Sequence, residues 1–121
     1  MNQDGLKNNI KIPISFGEAF DRLSILKIKK ERIAEASYLE KEISIFKDIL
    51  NTYMNETTDY YLEIISYFNA KIWDSQEKFR EVKSSKKKSF IADSITDFND
   101  ARYRIKRKID HILSSDLQEI K

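Results

Sequence analysis

The sequence predicts an all-α fold: a four-helix antiparallel bundle with a long C-terminal helical hairpin and an extended N-terminal segment. Three observations carry this. Apolar residues recur at four-three spacing in four separate stretches, the period of a helix face and not of a strand. Two Ser-x-x-Glu capping boxes, one at Ser15 and Glu18 and one at Ser37 and Glu40, mark helix starts. Among 121 residues there are only two Gly and one Pro, too few turn formers for an all-β chain. The abundant isoleucine, with Val82 the only valine, reads as codon bias rather than as a strand signal.

Residues 1–9 read as a polar, flexible arm, and residues 10–121 as a single helical domain. Ile10, Ile12 and Ile14 alternate with Lys11 and Pro13, so this piece is expected to be extended and to lie across the bundle. Ser15 opens the first helix, which runs to about Ile33. One face carries Phe16, Ala19, Phe20, Leu23 and Leu26, and a second stripe carries Asp21, Ile25 and Ile28. A helix apolar on two sides has neighbours on two sides, so this one is either central in the monomer or shared with a second chain. The second helix follows Ser37 and sets Leu39, Ile43, Phe46, Leu50 and Tyr53 in one seam. Asn51 to Asp59, polar and Thr-rich, reads as a loop. The third helix is expected from about Tyr60 to Val82, with Tyr61, Ile65, Phe68, Ile72 and Phe79 as its seam. Residues 84–89 read as a turn. The fourth helix is expected from about Phe90 to Leu113, with Ile91, Ile95, Phe98, Ile105, Ile109 and Ile112 in line. At 1.5 Å per residue each of the last two is roughly 35 Å long, and a short link makes them a hairpin.

Composition narrows the function. Hydrophobic residues make up 40% and charged residues 35%, which fits a compact chain able to bury about two-thirds of its unfolded surface. With no cysteine there is no disulfide, thiolate metal site or cysteine nucleophile, as expected in a reducing cytoplasm. The opening MNQDGLKNN has no signal-peptide core. No apolar run approaches the ~20 residues of a membrane span, so no membrane partner is expected. A net charge of +2 does not call for nucleic acid. The basic run from Arg102 to Lys108 is offset by Asp97, Asp100 and Asp110, and Lys83 with Lys86 to Lys88 reads as a solvated turn. His111, the only histidine, falls on the solvent side, and no nucleophilic triad is in view.

The chemistry-bearing residues are polar groups on or beside the seams: Glu18 and Asp21 on the first helix, Asn69, Trp73 and Gln76 on the third, Asn99 and Arg102 on the fourth. A polar group left unpaired in a helical core costs about 1–3 kcal/mol, so these must meet one another or a ligand. Folding the hairpin about Lys86 brings Asn69 level with Arg102 and Trp73 level with Asn99. Arginine presents a rigid five-donor fork suited to a carboxylate or a phosphate. Arg102 is therefore expected to meet Asp21, before Glu18, with Asn69 or Asn99 completing the network. The cluster is either an internal brace or the lining of a site for a small anionic ligand.

These residues carry a resemblance. IPISFGEAFDRLSILKIK, NAKIWDSQEKFR, DFNDARYRIKRKID and SSDLQEIK resemble, in order, stretches of an uncharacterised family of small bacterial and phage proteins, a domain of unknown function. The resemblance covers most of residues 12–121. It implies that Glu18, Asp21, Arg22, Asn69, Trp73, Asp74, Asn99, Asp100 and Arg102 are the family's marked positions. Gln76 stands where the family pattern usually has an acid. The family implies no activity, although some members accompany genes for surface-sugar synthesis.

Two enzymatic alternatives and one assembly follow from the same residues. Glu18 with Asp21, and Asp97 with Asp100, are acid pairs one turn apart, the kind that hold Mg²⁺ in all-helical nucleotide pyrophosphohydrolases. No cofactor or metal is assigned on this spacing, because Glu18 already has a capping role. Arg102, Lys106 and Gln76 resemble the basic and amide grip of a chorismate mutase, but the helix-one arginine and lysine pattern of that family is missing. No catalytic residue is assigned. The Ile25 and Ile28 stripe suggests a homodimer built partly on the first helix. The favoured reading is a non-enzymatic helical protein that binds a partner or ligand; the other is a small enzyme acting on an anionic metabolite or nucleotide.

Overall fold

In the computed structural model, which describes residues 8–114, the chain is all-helical. Its helices are α1 (Phe16–Arg32), α2 (Leu39–Leu50), α3 (Glu56–Glu81) and α4 (Ser85–Ile112), with a single 3-10 turn at Asn51–Tyr53. There is no strand among the described residues. Most of the expected polar arm and the SSDLQEIK stretch from Ser115 onward lie outside the described residues; Asn8 and Asn9 are exposed.

Helix α1 is the centre. Its first face, with Phe20 and Leu23 fully buried, packs with Leu39, Ile43 and Leu50 of α2 and with Ile109 of α4. Its other stripe turns to the hairpin: Asp21 and Ile28 are buried, and Ile25 lines a cleft with Asn69 and Ile72 of α3. The two-sided apolar pattern is thus met by this chain's own α2 on one side and α3 with α4 on the other. A second chain is not needed to cover Ile28. Burying a leucine or phenylalanine is worth about 1.5–3 kcal/mol, so the α1 faces hold most of the fold together. Helix α2 rests on α1 and touches the hairpin only slightly.

Three boundaries differ from the sequence reading, each for a hydrogen-bonding reason. Ser37 does not cap α2. The Glu40 amide is taken by the Ser37 carbonyl at 3.1 Å, and the Glu40 carboxylate reaches Lys30 at 2.6 Å. Helix α3 starts at Glu56, inside the expected loop, because Asn55 and Thr58 form the reciprocal capping box there (Thr58 N to Asn55 Oδ1 2.9 Å, Asn55 N to Thr58 Oγ1 2.7 Å). Helix α4 starts at Ser85, so the lysines read as a turn form its first turns. Ser84 caps it by accepting from the Lys87 amide at 3.3 Å. This stretch reads as a turn from sequence because it interrupts the apolar spacing with a solvated lysine run. Only Val82 to Ser84 link α3 to α4, and the pairs along them run in reverse order. Lys88 sits over Phe79 near the link, and Phe98 lies beside Phe68 farther away.

Candidate functional site

The site begins at the N-terminus of α1. Ser15 accepts from the Glu18 amide at 3.1 Å, which is half of the expected capping box. The Glu18 carboxylate leaves the cap and bridges two cations, Arg22 Nε and Lys106 Nζ, at 2.7 Å each. Burial pushes the Glu18 carboxyl up, but the hydrogen bonds and charges of Arg22 and Lys106 together outweigh it and hold it below its ordinary value. Two residues on from the cap Ser15, Gly17 lies directly against α4. A Cβ there would sit 2.2 Å from the Lys106 carbonyl oxygen, and the Gly17 amide donates to Asp110 Oδ1 at 2.6 Å. The contact needs a residue without a side chain, and it places a buried carboxylate at the positive end of the α1 dipole.

One turn on, Asp21 is fully buried and takes a forked pair from Arg102: Nε to Oδ1 at 2.9 Å and Nη2 to Oδ2 at 2.6 Å. Asn69 donates to the same Oδ1 at 2.8 Å and to Ser24 Oγ at 2.6 Å. Ser24 in turn donates to the Asp21 carbonyl at 2.8 Å. Asn99 accepts from Arg102 Nη1 at 3.2 Å, and Lys106 Nζ lies 3.7 Å from Asp21 Oδ2. The carboxylate of Asp21 raises the pKa of the Arg102 guanidinium, against the effect of burial. Asn69 of α3 and Arg102 and Lys106 of α4 are thereby held to one buried acid of α1.

Of the residues the sequence singled out, Glu18, Asp21, Asn69, Asn99 and Arg102 come together. Trp73 and Gln76 do not join the network. Trp73 gives its indole N–H to Glu77 at 2.7 Å, and Gln76 is exposed; both line a cleft of about 240 Å³ whose floor includes Asn69 and Arg102. Asp97 is exposed and Asp100 half-buried on α4. No group of three or more His, Cys, Asp or Glu among the described residues is placed to hold a metal ion. Both acids of the first candidate Mg²⁺ pair, Glu18 and Asp21, are bonded to cations instead. Sequence reasoning missed Gly17, Ser24 and Asp110 as members, and it placed Lys106 only on the flank. A signal for two of them was present: Arg102, Lys106 and Asp110 are spaced four apart, a single polar line down one side of α4.

With this geometry in view, no family model, no curated protein and no solved structure matches the chain. Among the described residues no helix is long and apolar enough to cross a membrane.

Proposed function

We propose that this is a non-enzymatic, cytoplasmic helical interaction protein, in which the Asp21–Arg102 network is a brace that fixes the α3/α4 hairpin on α1. The observation that carries the reading is the closed fork. Asp21, with a side chain 1% exposed, absorbs two donors from Arg102 and one from Asn69, so the arginine that would grip an anion already holds one. A reaction centre keeps a donor or base turned toward its substrate. Here the strongest donors are turned toward the Asp21 carboxylate. The cytoplasmic part of the reading draws on the cysteine-free composition. Membership of the uncharacterised family that the four stretches resemble belongs to the same proposal.

Arg102→Met tests it. Removing one partner strands a buried charge, and the expected loss of stability is about 3–5 kcal/mol by urea unfolding. Thermal unfolding of the unmodified protein should meanwhile be unmoved by Mg²⁺, nucleotides, nucleotide-sugars and aromatic acids. The cleft beside Arg102 favours a second reading, a small anionic ligand held by Lys29, Gln76 and the outer edge of the guanidinium. A ligand at a hundred times its Kd would add about 2.7 kcal/mol to stability. Such a shift, abolished by Arg102→Met in a variant that still folds well, would replace the brace by a site.

A further inference from the structure

The α3/α4 hairpin has two broad faces, and α1 covers one. On a helical wheel Asn69 and Trp73 of α3, and Asn99, Arg102 and Lys106 of α4, point toward α1. The opposite face carries no other helix among the described residues. Its floor is apolar, with Ile64, Phe68, Phe98 and Ala101 all half-buried. A groove of about 480 Å³ runs along it between Lys71 and Lys78 of α3 and Phe90 and Ser94 of α4. The aromatic rings beside the floor are open to solvent: Phe90 is 74% exposed, Tyr60 60% and Tyr67 57%. Exposed aromatics contiguous with a half-buried apolar floor mark an interaction surface rather than a random scatter of apolar groups.

The charges on the two rims differ in sign. Apart from Asp74, which also lines the groove and is paired with Arg32 of α1, the α3 rim along the distal half presents Lys71 and Lys78 and the α4 rim presents Asp93 and Asp97, all four exposed. None of the four forms an ion pair within the described chain. A partner of one sign would match one rim and be repelled by the other. A second copy of the same hairpin matches both, provided the two-fold axis runs along the bundle so that α3 of each copy lies against α4 of the other. The register set by Phe79 with Lys88 and Phe68 with Phe98 then puts Lys71 of one copy level with Asp97 of the other, twice by symmetry. An axis across the bundle would instead set α3 against α3 and bring lysine rim to lysine rim.

We propose that this uncovered face of the hairpin is the docking surface for a second copy of the chain, forming a two-fold, four-helix interface of α3 and α4 from each copy. The interface is isologous, the commonest closed arrangement. It rests on the reading of the protein as an interaction module, but it does not involve the Asp21–Arg102 brace. It also moves the dimer contact away from the Ile25 and Ile28 stripe, which α3 already occupies.

Light scattering and sedimentation of the unmodified protein at high micromolar concentration should give a dimer. Phe90→Glu should make it a monomer with unchanged helicity. Lys71→Glu and Asp97→Lys should each raise the dimer Kd by about tenfold or more, since each change creates two like-charge contacts. The decisive step is mixing. In an equimolar mixture of the Lys71→Glu and Asp97→Lys chains, both contacts are again of opposite sign, and a heterodimer should form. A monomeric unmodified protein would overturn the inference, and so would a dimer insensitive to Phe90→Glu or a mixture that stays monomeric. None of those results touches the brace, which is read from Arg102→Met in the monomer.

Discussion

The two ends of the α3/α4 hairpin are built from the same kind of sequence and behave as different materials. At the end gripped by α1, polar groups are sealed in: Asp21 and Asp110 are fully buried, and Lys106 is 3% exposed. At the free end, no residue from Ser75 through Phe98 is buried, although the seam residues Phe79, Ile91, Ile95 and Phe98 continue the same spacing. An apolar seam brings two helices together but tolerates sliding, because each contact resembles the next. Buried charged pairs do not tolerate it, since a shift of one turn would strand a carboxylate. The gripped end therefore sets the register of the hairpin, and the free end inherits it.

The sharpest way to break the gripped end is to add one carbon. In Gly17→Ala the new Cβ meets backbone, the Lys106 carbonyl at 2.2 Å and its carbon at 2.8 Å, with Asp110 Oδ1 at 2.9 Å. Backbone cannot swing aside as a flexible side chain can, so α1 must move away from α4. That lengthens the hydrogen bond from the Gly17 amide to Asp110 as well. The expected loss is about 3 kcal/mol, at the upper end of overpacking effects, measured by urea unfolding. The larger helix propensity of alanine works in the opposite direction by about 1 kcal/mol and does not reverse it. A variant as stable as the parent would mean that α1 and α4 are less closely apposed than this contact requires.

The difference between the ends also explains what was legible beforehand. The all-helical class, the two apolar faces of α1 and the meeting of Arg102 with Asp21 follow from periodicity, because burial leaves a period in the sequence; periodicity does not choose between a central α1 and one shared with a second chain. Helix starts were less legible. Ser37 looked like a cap, but its box depends on where the chain turns after α1, and there a backbone bond from Glu40 took its place. The Asn55 and Thr58 box was hidden because it lacks the Ser-x-x-Glu pattern. Lys86 to Lys88 read as a turn because they interrupt the apolar spacing, yet the Ser84 cap starts the helix ahead of them. Gly17 could not be read at all. A glycine second in a helix says nothing of close approach until the opposite backbone is known.

A middle-sized effect comes from acid. Because Arg22 and Lys106 hold the Glu18 carboxyl below its unfolded value, folding is favoured by this group at neutral pH. That contribution is complete above the unfolded value, about 4.3, and is lost as the pH falls through the lower folded value. Stability should thus decline below about pH 4, when Glu18 protonates and Lys106, almost wholly buried, loses its nearest partner. Glu18→Gln should lower stability at pH 7 by about 1–2 kcal/mol and flatten the acid limb, because the amide keeps an acceptor oxygen but not the charge. Denaturant titrations of both proteins from pH 7 to pH 3 show whether the two limbs converge. An acid limb of equal steepness in the variant would assign the proton uptake to another carboxylate.

The smallest effect belongs at the free end, and it is the one that sharpens the comparison. Phe90 is a large aromatic residue in the first turns of α4, yet it is 74% exposed. At a gripped position, truncating a phenylalanine costs about 3–5 kcal/mol. Phe90→Ser should change the unfolding free energy of the monomer by less than about 0.5 kcal/mol, as for a surface substitution. The contrast has a concentration dependence. Where two copies pair through the open face, association adds to stability by mass action, and the ring is then covered. The difference between Phe90→Ser and the parent should therefore be near zero in dilute solution and grow as protein is added. A large cost already present in dilute solution would show that the free end is held by its own chain, and the two halves of the hairpin would no longer be distinct.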